Sequence, residues 1–115
     1  MIQVFGRKSC NATRAAERFF RERGIAFQSI DLDIKPPSPG ELDSIARAAG
    51  GFDALCNKEG KAWQELGMAW KETEIREELL DHPQLLHTPL VRNGTQAAVG
   101  KNESAWKTFA LEQKK

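Results

Sequence analysis

Residues 2–32 constrain the fold of this chain more than any other stretch. Ile2, Val4 and Phe5 lie in a short apolar run closed by Gly6, long enough for a buried strand. After a polar loop, Ala12, Ala15, Ala16, Phe19 and Phe20 recur at helical spacing, while Arg14, Glu17, Arg18, Arg21 and Glu22 fill the opposite face. Gly24 supplies a C-terminal cap, and residues 26–32 alternate as a second strand through Phe27, Ile30 and Leu32. A strand, a helix and a strand joined by short connections form a parallel unit, whose crossover should be right-handed.

The remainder completes one sheet. Ser38-Pro39-Gly40-Glu41 is a helix start, with a cap, a proline at the first helical position and a capping-box acid. Leu42, Ile45, Ala46 and Ala49 form the buried stripe of that helix, and Gly50-Gly51 stops it. Residues 52–70 read as one or two short helices, and residues 72–80 as another, closed by His82-Pro83. Trp63, Trp70 and Trp106 read as core or helix-packing residues. Leu90-Val91 and Ala97-Val99 flank Asn93-Gly94, a strong hairpin signal, and Asn102 can cap a last helix that buries Ala105, Trp106, Phe109 and Ala110. The simplest assembly is α/β, a mixed four-stranded sheet with helices on both faces and a helical insertion at about residues 38–81 between the second and third strands.

Bulk properties narrow the function classes. The 115 residues suit one domain, and the 17 Lys and Arg nearly balance the 16 Asp and Glu, so a general phosphate attraction and nucleic-acid binding are not expected. No apolar run approaches the roughly 20 residues of a membrane helix, and the N-terminus lacks the pattern of a signal peptide. With two cysteines, Cys10 and Cys56, the chain reads as a cytoplasmic protein with reduced thiols. His82 and His87 lack metal-ligand spacing, and neither a metal site nor a bound cofactor is expected.

Cys10 lies between the first strand and the first helix, where free backbone N–H groups and the positive end of the helix dipole favour thiolate over thiol. Thr13, three residues on, can turn its hydroxyl back to the sulfur, and Lys8 and Arg14 bring positive charge nearby. The alternative is a small buried cysteine without chemistry. The pattern is C-x-x-T, so no local second thiol exists, and one-thiol chemistry needs glutathione, a glutaredoxin- or thioredoxin-type protein, or a distant cysteine. Thr88-Pro89 marks the entry to the third strand, where a proline fits because it removes no ladder bond.

Cys10-Asn11-Ala12-Thr13-Arg14 after the first strand, Ala54-Leu55 before Gly60 and Trp63, His82-Pro83, Pro89-Leu90-Val91 and Gly100 together resemble the ArsC/Spx-like family. That family holds glutathione- and glutaredoxin-coupled arsenate reductases, a redox-sensing regulator of RNA polymerase, and glutathione-binding relatives. The resemblance implies a thioredoxin-like fold over nearly the whole chain, a cis-proline at Pro89, and Cys10 as the reactive cysteine. It also implies a substrate site around Lys8, Asn11, Lys58, Thr88, Pro89 and Lys101, with Thr13 and Arg14 beside the nucleophile.

Two departures follow from the same resemblance. Where the family's arsenate reductases use three arginines to hold the oxyanion, this chain offers Asn57 or Lys58, then Thr88, then Lys101, and lysine lacks the bidentate fork of arginine. The regulator's second cysteine is replaced by Thr13. A one-cysteine thiol-disulfide oxidoreductase or glutathione-binding protein is therefore the expectation, against a non-catalytic or regulatory interaction module with a protein partner, and an arsenate reductase third. Cys56 has two readings, a resolving thiol for Cys10 or an apolar filler after Leu55, and burial statistics favour the filler.

Overall fold

The computed structural model describes residues 1–114. Strand β1 (Ile2–Gly6) leads into helix α1 (Asn11–Glu22) and then strand β2 (Phe27–Asp31). Helices α2 (Pro39–Ala49), α3 (Lys61–Glu65) and α4 (Ile75–Asp81) follow, interleaved with single 3-10 turns at Asp53–Leu55, Met68–Trp70 and Pro83–Leu85. Strands β3 (Leu90–Asn93) and β4 (Gln96–Val99) form the hairpin, and helix α5 (Glu103–Gln113) ends the fold. The sheet order is β2-β1-β3-β4, with β1 parallel to β2 and antiparallel to β3. This is the mixed four-stranded sheet that the sequence implies.

Period-two alternation divides the core. Ile2 and Val4 of β1 and Val91 of β3 face α1 and α5, where Phe19, Phe20, Trp106 and Phe109 pack. Phe5 and Leu90 face the other way, onto Leu42, Ile45, Leu55, Leu79 and Leu85 of the helical insertion. β1 and β3 are thus buried on both faces, and the loops at their ends are held from both sides.

Local chemistry fixes most element boundaries. The Ser38 hydroxyl accepts from the Glu41 N–H at 3.2 Å, the Glu41 carboxylate accepts from the Ser38 N–H at 3.0 Å, and Pro39 opens α2. Asn102 Oδ1 accepts from the Ala105 N–H at 3.1 Å and caps α5.

Three expectations are corrected. The helix expected over residues 72–80 spans Ile75–Asp81, since the backbone is still extended at Glu74, its N-cap (φ −77°, ψ 125°). Trp70 is 91% exposed rather than packed, since Gly67 at φ 62° ends α3 and the 3-10 turn that follows sends Met68 inward. Asn93 is the last residue of β3, opposite Gln96, leaving Gly94-Thr95 as the two-residue loop. The cause is α5: Asn93 Nδ2 donates to Glu112 and its Oδ1 accepts from Gln113, both at 2.8 Å. Positive φ then falls on Gly94 alone, at 61°, the pattern of a type II′ turn.

Among the described residues, no helix is long and apolar enough to cross a membrane, and no group of three His, Cys, Asp or Glu is placed to hold a metal ion.

Candidate functional site

Cys10 is the N-cap residue of α1, half-buried, with extended backbone (φ −89°, ψ 116°). Its own N–H donates to the Arg7 carbonyl at 3.0 Å, and its carbonyl accepts from the Arg14 N–H at 3.2 Å. That turn aims the sulfur across the sheet end at the residue before the third strand. The Thr88 hydroxyl donates to Cys10 Sγ at 3.1 Å, and the Thr88 carbonyl lies 3.7 Å from it. The Thr88-Pro89 bond is cis.

Partial burial alone would push the Cys10 thiol up, but it is outweighed. The Thr13 and Thr88 hydroxyls and the backbone N–H groups of Thr13 and Ala12 all favour the thiolate, so the thiol ionises below the ordinary range. No side-chain cation is among these groups. Lys8 and Arg14 are exposed, and Arg14 is turned onto the Asn11 side chain, whose Oδ1 accepts from its Nη2. Hydrogen bonds of the helix start and of Thr88, rather than neighbouring charge, favour the Cys10 thiolate.

Thr13 reaches the sulfur because of Gly6. Thr13 is 4% exposed, and a Cβ at position 6 would come within 2.2 Å of its Cγ2 and 2.4 Å of its Oγ1. A glycine at the end of β1 is what lets the first turn of α1 settle against the strand.

Arg7 is a residue that sequence reasoning passed over. Its side chain is 16% exposed and reaches under the insertion, where Nη1 donates to the Leu86 carbonyl at 3.2 Å and Nη2 to the Pro83 carbonyl. Its Nε lies 3.4 Å from Asp33. One side chain therefore ties the loop that carries Cys10 to the segment that presents Thr88.

The remaining residues fall into two groups. Gly100, at φ 70°, donates its N–H to the Pro89 carbonyl at 2.8 Å, which sets Lys101 on the loop touching Pro89, 3.9 Å from Glu103. The His87 ring packs on Gly100, and its Nδ1 is buried with no hydrogen-bond partner. On the insertion side, a cleft of about 350 Å³ brings together Cys56, Asn57, Lys58 and His87. There Lys58 is held by Asp53 at 2.8 Å and lies 5.8 Å from the Trp63 ring. Cys56 is 7% exposed, bridges Leu86 as an isolated antiparallel pair, and packs in the core beneath the insertion. Burial pushes its thiol up. The two cysteines are thus electronically opposite: Cys10 is tuned to ionise and Cys56 to stay neutral.

That contrast gives a pH signature. Cys10 ionises more readily folded than unfolded, so its contribution to stability is complete above the unfolded-state pKa and is lost as pH falls through the folded one. Cys10→Ser is therefore expected to lose more stability at pH 9 than at pH 7, both by urea unfolding. A gap that closes as pH rises would contradict the thiolate assignment.

The matched family model is the ArsC family, over residues 5–109. The chain belongs to that family. An arsenate reductase of Neisseria meningitidis is 30% identical over 105 residues, covering 87% of this chain and 90% of that protein. The global transcriptional regulator Spx 2 of Oceanobacillus iheyensis is 29% identical over 112 residues, covering 94% of this chain and 82% of that protein. Among solved structures, the arsenate reductase from Vibrio cholerae superposes with a TM-score of 0.82 at 20% identity, covering 94% of this chain and 96% of that one. The fold is thereby that of the ArsC proteins, a thioredoxin-like fold with a helical insertion.

Proposed function

We propose that this ArsC-family protein is a one-cysteine thiol–disulfide oxidoreductase that uses glutathione, with Cys10 as the nucleophile. The observation that carries this reading is the sulfur at the N-cap of α1, facing the hydroxyls of Thr13 and Thr88 with no second thiol one turn on. The Cys10 thiolate attacks the glutathione sulfur of a mixed disulfide, and the substrate sulfur leaves as thiolate with the bonding electron pair. A second glutathione thiolate then attacks the Cys10–glutathione bond, forming glutathione disulfide and returning Cys10. Thr88 and Pro89 offer the edge on which a peptide would lie. Lys8, Asn11, Lys58 and Lys101 would bind the peptide's carboxylates. A glutaredoxin- or thioredoxin-type protein would serve as the alternative reductant. Arsenate, suggested by the name of the Neisseria relative, would need the bidentate cations that Lys58, Thr88 and Lys101 do not supply.

The test is adduct formation. Glutathione disulfide is expected to leave one glutathione on Cys10 by mass spectrometry, removed by free glutathione and absent in Cys10→Ser. Alkylation of Cys10 by iodoacetamide should reach half its limiting rate below the pKa of about 8.5 of a free thiol. No adduct, together with an ordinary thiol profile, would overturn the proposal.

A second reading is a regulatory interaction module. It is favoured by the likeness to a protein named as a transcriptional regulator and by Thr13 standing where a disulfide switch would need a thiol. Binding of a partner protein that is indifferent to Cys10→Ser would favour this reading over the first.

A further inference from the structure

The exposed face of α1 carries an arginine strip that no ion pair neutralises among the described residues. Arg14, Arg18 and Arg21 stand at i, i+4 and i+7, so they share one face of the helix, and all three are exposed. Each has a carboxylate within helical reach, yet none forms an ion pair among the described residues. Glu17, three residues from Arg14 and four from Arg21, instead accepts a hydrogen bond from the Ser29 hydroxyl. Arg21 lies 5.9 Å from the Phe27 ring centre. Glu22, four residues beyond Arg18, is exposed and unengaged by it.

The N-terminal part of the strip works against the helix that holds it, whereas Arg21 stands in the last turn, where the dipole favours positive charge. Arg14 sits in the first turn, where the backbone already presents positive charge, and that turn contains no acidic residue. Arg14 and Arg18 are like charges one turn apart, a pairing that disfavours the helix. Arg14 meets the Asn11 side chain and Arg21 the Phe27 ring, but all three guanidiniums lack an anionic partner among the described residues, which fits an external anion. Because the strip begins one turn from Cys10 and runs away from it, that anion is an extended one.

We propose that the α1 strip docks an acidic polypeptide segment of the protein whose disulfide or thiol meets Cys10. The proposal rests on the thiol reading above. At about 1.5 Å rise per residue, Arg18 and Arg21 stand about 12 and 16 Å along the helix from Cys10. An extended chain covers about 3.3 Å per residue, so the complementary Asp or Glu residues lie about four and five positions from the partner's cysteine. Thiol–disulfide exchange with such a partner breaks its disulfide, joins one of its sulfurs to Cys10 and releases the other as thiolate.

Three otherwise identical peptides test this, each with one cysteine activated as a neutral pyridyl disulfide. Asp-Glu, Ser-Gly or Lys-Lys occupies the fourth and fifth positions. Attack by Cys10 releases thiopyridone, whose absorbance gives the rate. At low salt the acidic peptide is expected to react about 10-fold or more faster than the basic one, with the neutral peptide between. The preference should fade at high salt, where screening shortens to a few ångström. Arg18→Gln/Arg21→Gln should reduce it below about 3-fold while leaving the rate of the neutral peptide unchanged.

A brisk neutral reaction with no charge preference would overturn the docking strip alone. A neutral peptide that fails to react would count against the thiol reading. For that case a fluorescent acidic peptide with serine in place of cysteine reads the strip by anisotropy. Its binding should weaken in the double variant, and equal binding by both proteins would overturn the proposal. A DNA duplex that displaces this peptide and loses affinity in the same variant would assign the strip to nucleic acid and overturn it as well.

Discussion

Arg7→Met is expected to lower stability by about 2–3 kcal/mol, a fall in Tm of about 8–12 °C for a domain of this size. The guanidinium donates to two carbonyls of the segment beneath the insertion, one of them the Leu86 carbonyl, for which no other donor is present among the described residues. The Pro83 carbonyl keeps the Leu86 N–H at 3.0 Å. Most of the loss therefore comes from one charge-assisted bond and one orphaned acceptor, with little from Asp33, which is 64% exposed. Methionine keeps the apolar stem and so isolates the polar term. Arg7→Lys should recover only part of the loss, because a single ammonium cannot span both carbonyls as the fork does. Urea unfolding gives the energies. Iodoacetamide labelling gives the coupled effect, a rise in the Cys10 pH midpoint as the chain leading to Thr88 loosens. A stability loss under about 1 kcal/mol, with an unchanged labelling profile, would show that Arg7 holds neither segment.

What was legible in the sequence was whatever chemistry acts between near neighbours. The box of Ser38 and Glu41 spans three residues, as does the Asn102 cap, and both stand where the residue types place them. Cys10 at a helix start followed by Thr13 is likewise a local pattern. The hairpin was legible in place but not in register, because α5 holds Asn93 from 19 and 20 residues away. Arg7 carries no local signal, because its carbonyl partners lie 79 and 76 residues downstream. The ionisation of Cys10 was anticipated in direction, with lysine and arginine credited alongside Thr13 and the helix end. Folding supplied a further donor, the Thr88 hydroxyl, which arrives from 78 residues away. Trp70 shows the limit of composition: a large apolar side chain is read as core until a glycine at φ 62° turns the chain.

Gly6 controls the thiol without touching it, and a substitution cycle should expose this. In Gly6→Ala the new methyl would stand 2.2 Å from Thr13 Cγ2, 2.4 Å from its Oγ1 and 2.8 Å from its Cβ. Rotating the Thr13 side chain relieves the first two contacts but not the third, so the end of β1 and the first turn of α1 must move apart. Overpacking of this kind costs about 1–3 kcal/mol, and the backbone-near contact puts Gly6→Ala at the upper end, about 3 kcal/mol. The displaced hydroxyl no longer favours the thiolate, so the Cys10 labelling midpoint should rise. Thr13→Ala alone loses the same hydroxyl without the clash. It should raise the midpoint similarly while costing only about 1 kcal/mol. In the double variant the two closest contacts vanish, so the losses should fall short of additive by about 1–2 kcal/mol. Additive losses, or a Gly6→Ala protein whose Cys10 still labels like wild type, would mean that Thr13 reaches the sulfur by a route that does not depend on Gly6. The expected result instead makes the thiolate a consequence of how closely α1 approaches β1. A glycine without functional groups then belongs among the residues that decide whether Cys10 reacts.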